Sequence, residues 1–187
     1  SHKRKPIVRL TITAPENQAR IEEIRKANLA VFASAGEQRL DDTAPVIAWV
    51  GFGVHGNETS VVPSAMLLAY HYAAAEDDAV AALLDDMVIL LVGTLNPDGY
   101  SRAAAWHNMN AGRVAVSDPA HREHRDAGLW PGGRSNHYWF DLNRQYVPAS
   151  QPEAAAALLQ KHAWKPHVLV DLHEMTIGNP YYFSPGE

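Results

Sequence analysis

Pro45-Val46-Ile47-Ala48-Trp49-Val50 is an apolar run that passes directly into Gly51-Phe52-Gly53-Val54-His55-Gly56-Asn57-Glu58. The run has the length and branching of a buried strand. The glycines after it mark a loop, and from Ser60 to Ala75 apolar residues recur at helical spacing, with Pro63 in the first turn where proline is tolerated. Met87 to Val92 and His167 to Asp171 are further buried-type strands. Ile7 to Ile12 alternates and is β-branched, so it also reads as a strand. Between these lie helical patterns at Pro15 to Phe32, Asp77 to Leu84 and, rich in alanine, Gln151 to Trp164. Strands alternating with helices predict an α/β fold, an α/β/α sandwich around a mixed, largely parallel central sheet. Asn96-Pro97-Asp98-Gly99 is a turn signal, and residues 100–140 have little periodicity. They read as a long loop of the kind that carries function.

The 187 residues, 47% hydrophobic, suffice for one sizeable core, so a single domain is expected. The net charge of −5 and one short basic run, Lys3-Arg4-Lys5, argue against a nucleic-acid surface. No apolar run reaches the length of a membrane span. Without cysteine, disulfides, thiolate metal sites and thiol nucleophiles are excluded together.

His55 and Glu58 sit where a strand gives way to a helix, so one turn can aim both at one point. Ligands in open α/β sheets collect at the carboxyl ends of strands. His173, in Asp171-Leu172-His173, follows the 167–171 strand at such an end. Two imidazoles and a carboxylate with an open fourth position suit zinc. The spacing alone is weak, because chance supplies a His-x-x-Glu in roughly every second chain of this composition. His-Glu-x-x-His is absent. His121 and His124 form a rival pair, but they lie among Arg122, Glu123, Arg125 and Asp126 and read better as a charged loop. His71, His107, His162 and His167 are most simply structural or exposed. Asn57-Glu58-Thr59 is also a glycosylation sequon, discounted inside a metal loop.

Four motifs then fall in one order: His55-Gly-Asn-Glu58, Asn96-Pro-Asp-Gly99, Asp141-Leu-Asn-Arg144 and Asp171-Leu-His173. Over about residues 45–175 the chain resembles the zinc carboxypeptidase family (peptidase family M14, the carboxypeptidase A superfamily). The resemblance implies that His55, Glu58 and His173 hold zinc. It implies that Asn143 and Arg144 grip a substrate's C-terminal carboxylate, and that Asp141 orients the first zinc histidine. A further arginine is implied to stabilise the oxyanion, and Arg134, shortly before Asp141, is its candidate, with Arg113 and Arg102 as rivals. The implied general-base Glu and a substrate-capping Tyr belong further along than Glu187. Residues 1–187 are therefore expected to be one incomplete catalytic domain, truncated at the C-terminal side, binding Zn2+ but turning over substrate weakly or not at all. Glu174 is expected to face away from the metal, and Asp171 to support His173.

The implied activity is zinc-dependent hydrolysis of C-terminal peptide bonds. A zinc amidohydrolase that deacylates small N-acyl amino acids and a non-catalytic zinc-containing binding module are the alternatives. The partner implied is a peptide or small amide with a free C-terminal carboxylate. Self-association through an exposed sheet edge is a further expectation. A periplasmic or secreted location is the leaning the resemblance gives.

Overall fold

In the computed structural model, residues 1–35, 37–118, 120–123 and 132–175 are described. Four strands form one mixed sheet, β1 (Arg9–Ile12), β2 (Val46–Phe52), β3 (Met87–Val92) and β4 (Val168–Leu172), in the order β1-β3-β2-β4. β2 is parallel to both β3 and β4, and β1 is antiparallel to β3. Helices α1 (Pro15–Ala19), α2 (Ile21–Ala33), α3 (Val61–Ala74), α4 (Asp78–Asp86), α5 (Pro97–Asn110) and α6 (Pro152–Trp164) fill the connections.

Successive residues of β3 face opposite sides of the sheet, and both sides are buried. Val88, Leu90 and Val92 join Ile47, Trp49, Ile24, Ala157 and Trp164 in one core cluster. Ile89 and Leu91 join Phe52, Val61 and Ala65 in the other. A strand buried on both faces needs apolar residues at every position, which is why 87–92 reads as an unbroken apolar run. The α/β/α expectation is met, with α2 and α6 residues packed on one side and α3 residues on the other. Each fully buried Leu or Val contributes about 1.5–3 kcal/mol. No helix among the described residues is long and apolar enough to cross a membrane.

Three expectations require correction. β4, expected to be a buried strand, lies at the edge of the four-stranded sheet of the described residues, where Val168 is 44% and Leu169 60% exposed. The helix expected over 15–32 is broken at Arg20, whose φ of −117° lies outside the helical range, into α1 and α2. More consequentially, Asn96-Pro97-Asp98-Gly99 does not begin a loop. The Asn96 side chain accepts from Gly99 N at 2.9 Å and caps α5, with Pro97 in the first turn. An Asx turn and a helix N-cap share this local geometry, and Pro at the first helical position is pre-set for it. Residues 97–110 are therefore helix, and the irregular segment starts later.

Three close backbone approaches fix how the loops leaving the sheet stack. Leu95 N donates to Phe52 O at 3.0 Å, Asn96 N to Gly53 O at 2.9 Å, and Gly56 N to Gly133 O at 3.0 Å. Gly56 lies so near the Gly99–Tyr100 backbone that a Cβ would collide with it, whereas a Cβ at Gly93 would meet nothing within 4 Å. Backbone cannot move aside as a side chain can. Gly56→Ala is expected to lower stability by about 2 kcal/mol or more, and Gly93→Ala to stay within about 0.5 kcal/mol of the parent. Urea unfolding midpoints check both, and equal midpoints for the two variants would refute the packing argument.

Candidate metal centre

The register of β2 and β4 pairs Phe52 with Leu172, so the chain leaves both strands at the same edge of the sheet. His55 follows one exit and His173 the other. Gly53, at φ 65°, makes the turn that brings His55 back over the sheet edge. His55 is 3% exposed and Glu58 9%.

His55 Nδ1 lies 2.7 Å from Glu58 Oε1, and His173 Nδ1 lies 3.3 and 3.1 Å from Glu58 Oε1 and Oε2. The two rings are 4.9 Å apart between centroids. One ligand atom from each of the three residues lies within 4.8 Å of the others, and among the described residues this is the cluster able to hold a metal ion. The far nitrogens are also engaged: His55 Nε2 sits 3.2 Å from Asp141 Oδ1, and His173 Nε2 sits 3.0 Å from Asp171 Oδ2. An imidazole between two carboxylates satisfies both only with a cation on each nitrogen, either two protons or one proton and a metal ion. The donor set and its outer carboxylates thus fit a zinc ion held by the two Nδ1 atoms and Glu58.

Asp141 does more than meet His55. Its Oδ1 accepts from Asn143 N at 2.9 Å, capping the short 3-10 turn Leu142–Arg144, and its Oδ2 pairs with Arg134 Nε at 3.1 Å and Nη2 at 3.0 Å. Arg134 is therefore brought into the cluster, one residue away from the metal ligands. Asn143 is half-buried and Arg144 exposed, with Arg144 Nη1 donating to Asn143 O at 3.0 Å. Of the rivals, Arg113 is exposed, and Arg102 is engaged with loop carbonyls. Glu174 turns its carboxylate to Ser60, accepting from its N at 2.8 Å and its Oγ at 2.7 Å, while its own N–H donates to Glu58 Oε2 at 3.0 Å.

The remaining histidines have local roles. His167 Nδ1 accepts from Ile47 N at 2.9 Å, pinning β4 to β2. His107 Nδ1 donates to Glu123 O at 2.6 Å, His162 faces Lys165, and His71 packs by Tyr72. His121 lies 4.0 Å from Glu123, and His124, Arg125 and Asp126 lie outside the described residues, as does Glu187.

Residues 1–175 match the family model described as zinc carboxypeptidase (peptidase M14). The chain belongs to the zinc carboxypeptidase family. A search among curated proteins finds no match. Two imidazoles and a carboxylate are one of the three-ligand sets found in catalytic zinc sites, so the cluster's composition agrees with the family. Two supports of the site hold roles that the sequence reading did not give them. Tyr146 Oη donates to Asp171 Oδ2 at 2.8 Å, and Arg102 holds the loop that carries Arg134. For Arg102, reading 97–110 as helix would have placed it nearly two turns beyond the Asn96 cap.

The electrostatics of this zinc carboxypeptidase cluster favour charge. Burial pushes the Glu58 carboxyl up, but hydrogen bonds from His173 and His55 outweigh it and bring it down to about 2. Burial likewise opposes the charge on Asp141, and the Asn143 N–H, Arg134 and His55 overcome it, holding the carboxyl below its usual range. Hydrogen bonds to Asp171 and then Glu58 raise His173 to about 10 against the effect of burial. Without metal, the raised His173 stabilises the fold fully below its ordinary value of 6.5 and loses that contribution as pH rises through about 10. The lowered Glu58 contributes above its ordinary 4.5 and is lost as pH falls through about 2. Both contributions are complete together between these two ordinary values. A metal ion must displace the His173 proton, so zinc affinity is expected to rise with pH up to about 10. Titration calorimetry at pH 7.5 in buffers of different ionisation heat should record about one proton released per zinc. Heats that do not depend on the buffer would contradict this.

Proposed function

We propose that this chain holds a catalytic zinc through His55 Nδ1, Glu58 and His173 Nδ1, and acts in hydrolysis at the C-terminal peptide bond of a peptide substrate. The observation that carries the reading is the convergence of two imidazoles and a carboxylate at neighbouring strand ends, with a carboxylate behind each far nitrogen. Zinc, when bound, supplies Lewis-acid polarisation of the scissile carbonyl and of water.

The protein's side chains supply the rest. Asp141 and Asp171 hold the ring orientation of the two histidines. Arg134 presents a guanidinium already anchored on Asp141, so stabilising a developing oxyanion requires little reorganisation. Asn143 and Arg144 lie beyond it on the same turn. The fork of Arg144 suits a terminal carboxylate, and Asn143 adds a neutral donor. Glu174 is not assigned as the base, because its carboxylate is committed to Ser60. Residues 1–187 are read as part of one catalytic domain on this proposal.

The ligand assignment is tested by metal analysis of the purified chain. One zinc per chain is expected, lost in His55→Ala, and zinc retained at the same stoichiometry in that variant would overturn the assignment. The substrate class is tested with an N-acetyl dipeptide and its C-terminal amide. The acid is expected to bind at least tenfold more tightly, since pairing with a charged partner contributes about 1.5–3 kcal/mol. In Arg144→Ala the preference should vanish. Equal affinities for acid and amide in the parent protein would exclude a carboxylate clamp.

A further inference from the structure

The segment from Gly132 to Phe140 hangs on one side chain of α5. Arg102 Nε donates to Gly132 O at 2.7 Å, Nη2 donates to Ser135 O at 2.7 Å, and Nη1 and Nη2 both reach Asn136 O at 3.2 Å. The guanidinium also lies over the Trp139 ring, 4.2 Å from its centroid. Trp139 has φ 68°, a left-handed conformation that costs a bulky residue about 1–3 kcal/mol and persists only where its surroundings enforce it. Enforcement comes from two sides. Asn136, fully buried, accepts from both Tyr138 N and Phe140 N, bridging the strained residue, and its Nδ2 donates to Gln151 and Glu153 at the start of α6. Arg102 backs the ring.

Arg134 stands inside the gripped segment. Its carbonyl accepts from Asn96 Nδ2 at 3.1 Å, and its guanidinium meets Asp141, which meets His55. We infer that Arg102 is a positioning residue for the metal centre: by holding the carbonyls of Gly132, Ser135 and Asn136 and backing Trp139, it fixes the Arg134–Asp141 pair against His55 Nε2 and thereby sets metal affinity. The inference rests on reading His55, Glu58 and His173 as the ligands. A lysine cannot replace this group, since an ammonium is a point donor that neither forks across three carbonyls nor stacks flat on an indole.

A role confined to loop stability would weaken the protein without depending on Asp141, so a double-mutant cycle on zinc affinity separates the two. Competition with a chromophoric chelator gives the affinities. Arg102→Lys and Asp141→Asn are each expected to weaken zinc about tenfold, the lower end for outer supports of a metal site. The double variant should bind no worse than Asp141→Asn by itself, within about twofold. The cobalt-substituted Arg102→Lys protein should show an altered visible absorption band. Should Arg102→Lys not fold by far-UV circular dichroism, Trp139→Leu takes its place in the cycle with a smaller expected loss, again absent in the Asp141→Asn background. Unchanged affinity in Arg102→Lys, or a double variant weakened by the product of the two separate factors, would overturn the inference. Failure of the parent chain to take up zinc would overturn the ligand assignment beneath it.

Discussion

The Asp141 carboxylate is the contact on which the site depends. One oxygen serves His55 and the amide of Asn143; the other serves Arg134. A ligand orienter, a turn cap and a guanidinium anchor are thus a single group. Burial works against its charge, and the Asn143 N–H, Arg134 and His55 together hold the carboxyl below its usual range. Removing one partner leaves a half-buried carboxylate underpaired, which costs more than the lost bond itself. Residues 132–144 therefore reach the His55–Glu58–His173 cluster through this one carboxylate, although none of the three lies among them.

That coupling requires a rigid frame, and the sheet provides it. β2 lies between β3 and β4, and the exits of all three strands are cross-bonded through Gly53, Phe52 and Ser60. Burial opposes the charges gathered there, and hydrogen bonds and ion pairs outweigh it at Glu58, Asp141 and Asp171. Two-sided burial of β3 and β2 supplies the stability against which that opposition is set. The glycines belong to the same logic. At Gly56 and Gly99 two backbones meet so closely that no side chain fits, which lets the motif loops of β2 and β3 and the segment carrying Arg134 stack on one another.

Much of this was legible in the chain. Apolar runs marked β2 and β3, because strands buried on both faces cannot hide their composition, and β4 carries a similar run although Val168 and Leu169 are exposed. His55 and Glu58 were legible by spacing and His173 by its place after a strand. α5 was not, because its dominant packing partners are loop carbonyls and not the sheet. Arg102 faces Gly132, Ser135 and Asn136, so the helix carries little apolar periodicity, and its Asn-Pro cap imitates a turn. Recognition of backbone carbonyls leaves no residue-type pattern in the recognised segment. For the same reason Tyr146, which acts through a single hydroxyl on Asp171, could not be singled out.

The two histidines are supported by different chemistry. Behind His55, Asp141 is paired with a permanent cation, so part of its negative field is spent on Arg134. Behind His173, Asp171 is held by the phenol of Tyr146, a neutral donor that orients the carboxylate without neutralising it. The nearby ammonium of Lys161 stacks 4.9 Å from the Tyr146 ring, and burial lowers its pKa from the usual lysine value. Asp171 feels the charge of Lys161 as well as the Tyr146 hydroxyl, and its hydrogen bond, followed by that of Glu58, raises His173 to about 10 without metal. His55 is buried and its far nitrogen meets a carboxylate paired with a guanidinium, whereas His173 is partly exposed and its far nitrogen meets a carboxylate held by a phenol. Each ring is thus oriented by a carboxylate that is itself anchored, by Arg134 behind His55 and by Tyr146 behind His173.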